Sequence, residues 1–429
     1  MRLRMRSTAV SLVVCLYVIV LPASATLRVG VARVDITPEK PVQMSGYASR
    51  KDLSTGVHDP LSARVLMFEQ GGDKLVLVSA DVIGYYAGTA DYLRRAILEA
   101  CDLEPRELFL TAIHTHAAPT LTCDVEHGHP NNVAYTETFK SRLIEAIQEA
   151  IENAEPAQLG VATGSCPVGS NRREVRIRES GESDIVLGRN PYGSMDKEVL
   201  VLKVARPDDE LVALAFDYAT HATSLGPRNY VISGDVLGLA EQFVEKVMGP
   251  DVVAPAFAGA SGDIDPWFRI LPEFNTESGW IPEPVLLGTF LGEEVVHVSR
   301  RAEVADSDGP IKSALATLTL PPKQSDESDG DRSSVSLNVT VGRVGDVAFV
   351  GLGAEVFSEI GMAIKAGSPC KHTFVITHCN GAAGYLAPGK YYVEGGYEIR
   401  SSPFAPQAAE IVVRRSLHML HNLYPAAKR

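Results

Sequence analysis

The chain has 429 residues and a formal net charge of −13 at pH 7; taking away Arg2, Arg4 and Arg6 of its first 25 residues leaves −16. An acidic balance of that size argues against nucleic acid or an anionic membrane surface as the main partner and leaves neutral or cationic substrates open. Six cysteines without a Cys-x-x-Cys pair speak against a structural thiolate zinc site.

Residues 1–25 combine the three arginines with the largely apolar run Ala9 to Leu21 and then Ala23-Ser24-Ala25, which predicts a signal peptide cleaved after Ala25 and a secreted or periplasmic protein. The apolar run is short for a bilayer core, which needs about 20 residues, and Val14 before Cys15 does not fit a lipoprotein signal. Loss of Cys15 leaves five thiols; an oxidising compartment allows one or two disulfides, whose pairing the spacing leaves open.

Periodicity then alternates between strand and helix. Strands are expected at Leu27 to Ile36, Ala63 to Glu69, Lys74 to Val82 and Glu107 to Ile113, with helices at Ala90 to Cys101 and Tyr135 to Asn153. Glu198 to Ala205 and Leu211 to Tyr218 flank Arg206-Pro207-Asp208-Asp209-Glu210 as a hairpin. Leu237 to Met248 and Pro284 to Ala302 read as helices, Val335 to Leu352 as a hairpin about Gly345-Asp346, and Pro406 to Leu423 as a closing helix with proline near its first turn. Lys323 to Ser334 is a polar surface loop, and His127 and His129 fall in the Gly/Pro-containing loop Glu126 to Asn132 as surface residues.

The segment His114-Thr115-His116 follows an apolar, β-prone run. Side chains at i and i+2 of a strand share one face, so both imidazoles are expected to enter one cavity. Neutral imidazole nitrogens commonly hold zinc, and a catalytic site takes about three protein ligands and keeps a position for water.

Several blocks surround that segment in a fixed order. Val31 to Thr37, Met44-Ser45-Gly46-Tyr47-Ala48, Gly56-Val57-His58, Ala63-Arg64 and Val78-Ser79-Ala80-Asp81 precede Thr111 to Pro119; Ala219 to Ser224, Ser233-Gly234-Asp235, Gly262-Asp263, Gly353-Ala354-Glu355 and Asn380 through Gly384-Tyr385 to Tyr397 follow it. Together they resemble the neutral (non-lysosomal) ceramidase family across most of residues 28 to 400. The resemblance implies that His114, His221, Glu355 and Tyr385 bind zinc. His116 would then act in proton transfer, while Arg172 and Tyr397 would donate to the developing oxyanion. An exposed basic loop is the competing account for Arg172 and Arg173. His58 matches a family histidine, as wall or substrate contact. Where the family reads Gly-Asp-Val-Ser-Pro, this chain has Asp265, so a serine nucleophile at that position is excluded.

Ligands so far apart in sequence must meet at one ion. Residues 26–429 are therefore expected to be one large α/β catalytic domain of the ceramidase type, with mixed β-sheets flanked by helices and without the immunoglobulin-like sandwich that long family members append. The implied reaction is zinc-dependent hydrolysis of the N-acyl bond of a small amphiphilic amide, with peripheral access to membrane lipid. The alternatives are a zinc hydrolase of the same fold acting on another small amide or ester, and a non-catalytic binding protein.

Overall fold

The computed structural model describes residues 26–268, 283–307, 309–324 and 334–424. The signal-peptide expectation and most of the polar loop lie outside them.

Three sheets share one inner core, and pairs of helices cover their outer faces. In the first sheet Leu108–Ala112, Asp73–Ala80, Ser62–Gln70, Arg28–Asp35 and Glu155–Pro156 stand in that spatial order. Its strands alternate strictly. Val65, Met67, Val76 and Val78 pack under the helices Thr89–Cys101 and Pro130–Glu152, while Leu66, Phe68, Leu75 and Leu77 face inward. Period-two apolarity on both faces marks a sheet buried on both sides.

The second sheet orders Ala256–Ala258, Leu211–Tyr218, Glu198–Ala205 and Gln158–Ser165, and buries its outer face against the helices Asp235–Met248 and Glu283–Ser299. A third sheet, Ile311–Leu320, Val335–Val344, Val347–Leu352 and His372–Ile376, is covered by Ser358–Gly367 and Ala408–Leu423. Phe68 and Phe109 from the first sheet, Leu202 and Val204 from the second, and Phe349 and Phe374 from the third form one cluster. Edge and offset ring contacts tie it together, with Phe349 centred 6.3 Å from Phe68 and 5.1 Å from Phe374.

Both expected hairpins form, pairing Leu200 with Asp217 and Val341 with Val350. The second helix departs from its expected start. It begins at Pro130 rather than Tyr135, because His129 accepts a hydrogen bond from the Asn131 amide and proline occupies the first turn; His129 is thus a helix cap, and only His127 is fully surface. Strands at Gln158–Ser165, Gly169–Ile177, Ser183–Asn190, Ile311–Leu320 and His372–Ile376 had no expectation. Cys101, Cys123, Cys166, Cys370 and Cys379 are all free, so the disulfides that export would allow do not form among them. Among the described residues no helix is long and apolar enough to cross a membrane.

Candidate metal centre

A strand from each sheet ends at the same place. His114 follows Leu108–Ala112, His221 follows Leu211–Tyr218, and Glu355 follows Val347–Leu352. Backbone bonds then stitch the three strand ends together: Thr115 bridges Ala222 in parallel, the Asn380 amide donates to Leu110 O, and the Thr377 amide donates to Ala258 O. The two-residue strands Glu355–Val356 and Tyr385–Leu386 pair in parallel with Glu355 level with Tyr385, which sets the carboxylate beside the phenol.

His114 and His116 do converge, by a different route from the one expected. The strand stops at Ala112 and His114 takes a left-handed φ of +62°, so a turn, not strand alternation, brings the rings together. Their Nε2 atoms stand 3.3 Å apart with the ring planes at 88°. His221 completes a group whose donor nitrogens all lie within 4.8 Å of one another.

Both deeper histidines are oriented by backbone carbonyls. His114 Nδ1 contacts Ile83 O at 2.6 Å, and His221 Nδ1 contacts Ser261 O at 2.8 Å. A carbonyl only accepts, so the proton is assigned to each Nδ1 and the lone pair to each Nε2. Those Nε2 atoms face Glu355 Oε2 at 3.5 and 3.6 Å. His221 Nε2 and Glu355 Oε2 are buried and have no hydrogen-bond partner. Leaving two buried polar atoms unpaired costs about 1–3 kcal/mol each. Donors about 2.0–2.2 Å from a tetrahedral zinc sit about 3.3–3.6 Å from one another, which is the spacing of each of these two nitrogens from Glu355 Oε2, so these residues fit a cation.

Electrostatics agree with that fit. Burial opposes ionisation of Glu355, yet His114, His221 and His378 hold its carboxyl well below the ordinary range. Burial, aided by His114 and His221, depresses His116 well below an ordinary imidazole. Burial and Glu355 push the Tyr385 phenol up, and Arg172 pulls it back.

Arg172 and Arg173 lie buried on Gly169–Ile177, which corrects the exposed-loop account. Arg172 is committed to protein groups: Nε donates to Glu398 at 2.8 Å, Nη1 to Asp265 at 3.1 Å, and Nη2 to Gly262 O and to the Tyr385 hydroxyl at 3.1 Å. Tyr397 packs edge-on against Tyr385 with centroids 5.7 Å apart and remains 41% exposed. Asp265 serves as a counter-ion to Arg172. His58 is paired through its Nδ1, 2.6 Å from Asp59, which in turn accepts from Ser233 and Gly234. Two neighbours escaped the sequence reading: Tyr86, whose hydroxyl donates to Glu355 Oε1 at 3.3 Å, and His378, stacked on His114 with centroids 3.8 Å apart. Neither sits in a block that flags a ligand.

Residues 27–268 match the family model described as "Neutral/alkaline non-lysosomal ceramidase, N-terminal". The chain belongs to that family. It is similar to the neutral ceramidase of Oryza sativa subsp. japonica, with 31% identity over 246 residues covering 53% of this chain and 30% of the relative. The neutral ceramidase of Mycobacterium tuberculosis is 28% identical over 267 residues, 56% of this chain and 40% of the relative. The matches thus span less than half of these relatives. The crystal structure of neutral ceramidase from Pseudomonas aeruginosa superposes with a TM-score of 0.74 at 18% identity, covering 93% of this chain and 74% of that one. A structure described as "Ceramidase complexed with C2" gives 0.75 at 17% identity, with 93% and 75% covered. The shared fold of this family member is therefore the mixed α/β arrangement described above.

Proposed function

We propose that this ceramidase-family chain is a zinc-dependent amidase that hydrolyses the N-acyl bond of ceramide-like amphiphiles, yielding a fatty acid and a sphingoid base. It works as one catalytic unit over residues 26–429 and is exported by a signal peptide, residues 1–25, that is cleaved after Ala25. The observation that carries the metal reading is the pair of unpartnered buried atoms, His221 Nε2 and Glu355 Oε2, converging with His114 Nε2. The names of the relatives support the substrate class.

His114, His221 and Glu355 would hold the ion, with the Tyr385 phenol beside them. Bound there, zinc supplies a water acidified towards a pKa of about 7 and a Lewis acid for the carbonyl. Everything else falls to the side chains. Arg172 steadies the Tyr385 oxygen and is itself held by Asp265 and Glu398. His116, neutral through burial, takes a proton from the attacking water and returns it to the departing amine nitrogen. Tyr397, exposed at the mouth of the site, meets the amide oxygen as charge develops on it. No serine is required.

Elemental analysis of the purified protein should find about one zinc per chain. On a series of N-acylsphingosines, kcat/KM should rise with acyl length, since each buried methylene is worth about 0.8 kcal/mol. Metal-free active protein would overturn the zinc reading. A flat or falling chain-length profile would overturn the lipid substrate while leaving zinc in place.

A further inference from the structure

Two side chains with no assigned role touch the candidate ligands. Glu355 offers two oxygens, and only one is free: Oε1 accepts from the Tyr86 hydroxyl while Oε2 is the unpartnered atom that faces His114 and His221. His378 is buried and lies almost parallel to the His114 ring, with a 13° angle between planes at 3.8 Å. The Ile83 carbonyl fixes how the His114 ring is turned within its plane. The His378 face fixes the plane itself.

The local backbone is built to place these two rings. His378 has φ +52° in a residue that is not glycine, and its amide contacts Ala354 O at 3.4 Å, directly before Glu355. A side chain held in the left-handed region costs about 1–2 kcal/mol and persists where its surroundings impose it. Gly84, at φ +148°, leaves room for the Tyr86 ring: a Cβ there would lie 3.0 Å from it. One short segment, residues 377–380, thereby links the strand carrying His114, through the Asn380 contact with Leu110, to the turn carrying Glu355.

We propose that Tyr86 and His378 are positioning residues for the cation: Tyr86 selects Glu355 Oε2 as the ligand oxygen by occupying Oε1, and His378 clamps the plane of His114. The inference rests on the zinc reading above. Neither residue touches the reacting atoms. Groups that hold metal ligands from behind typically govern metal affinity by about 10–100-fold.

The test is zinc affinity of the full chain, measured by competition with a chelator after metal removal, together with the visible spectrum of the cobalt-loaded protein. Tyr86→Phe and His378→Ala should each weaken zinc by about 10–100-fold and alter the cobalt bands. His378→Phe keeps a flat face and should return zinc affinity to within about threefold of the parent, whereas His378→Asn should not. Where hydrolysis is measured, kcat should fall with KM little changed. Parental affinity and spectrum in both Tyr86→Phe and His378→Ala would overturn the inference while the zinc reading stands. Equal loss in His378→Phe and His378→Asn would overturn the clamp, and this pair carries the test if His378→Ala does not fold. Failure of the parent protein to bind zinc would remove the metal reading and this inference together.

Discussion

Two buried clusters of ionisable side chains sit in this molecule, and they are built on opposite principles. In the first, Arg64 faces Glu241 and Glu245 at 2.7 Å each and Asp81 at 3.6 Å, all of them buried, while Arg33 reaches Glu245 at 2.7 Å. Burial pushes both Glu241 and Asp81 up, and the Arg64 guanidinium pulls each of them back. Glu241 also accepts from the Ala256 amide and Ser79. That cluster pins Ser62–Gln70 to the helix Asp235–Met248, and its charges are matched inside the protein. The second cluster, at His114, His221 and Glu355, leaves two buried atoms unpaired. In the first, the one buried oxygen without a hydrogen bond, Asp81 Oδ1, still faces the Arg64 guanidinium at 3.6 Å, so the cluster reads as architecture. In the second, the unpaired nitrogen and oxygen face each other with no cationic side chain between them, which suits a bound cation.

Breaking each cluster should therefore fail differently. His221→Ala should abolish hydrolysis and zinc binding, yet cost the metal-free fold only about 0.5–1.5 kcal/mol for its lost carbonyl hydrogen bonds; metal analysis and denaturant melts of the metal-free proteins check both halves. Arg64→Met should do the reverse, destabilising the fold by about 3–5 kcal/mol because buried carboxylates lose their counter-charge. If that variant melts like the parent, the contrast between the clusters is wrong.

Smaller changes sharpen the picture within the second cluster. His116→Ala is expected to retain zinc while losing about 10²–10⁴-fold in rate, the usual worth of a general acid or base; equal zinc loss in His116→Ala and His221→Ala would make His116 a ligand instead. Gly46 has φ +97°, and a Cβ there would lie 2.4 Å from His116 Nδ1. Gly46→Ala should thus cost about 1 kcal/mol of backbone strain and lower the rate by displacing His116, with zinc content unchanged.

How much of this could be read beforehand depended on which interactions decide each feature. The hairpin Glu198–Ala205 with Leu211–Tyr218 was legible because apolar runs flank a polar turn, and the strand Ser62–Gln70 was legible as a short apolar run, although which of its side chains face inward was not. Gly169–Ile177 and Ser183–Asn190 were not, since their polar, half-exposed residues carry no clean period. Nor could Arg172 be assigned to the interior: a buried guanidinium is tolerated only because Asp265 and Glu398, from distant segments, meet it.

The sequence by itself determined the acidic balance, the helix and strand rhythm, and the ordered blocks that carry the family resemblance, because composition, periodicity and motif order are properties of the chain read along its length. Only the tertiary structure decided that three sheets end at one point, that His114 turns left-handed into it, that Tyr86 and His378 stand behind the ligands, and that two buried atoms there lack partners. Whether a buried donor or acceptor is satisfied depends on groups hundreds of residues away, and no local pattern records that.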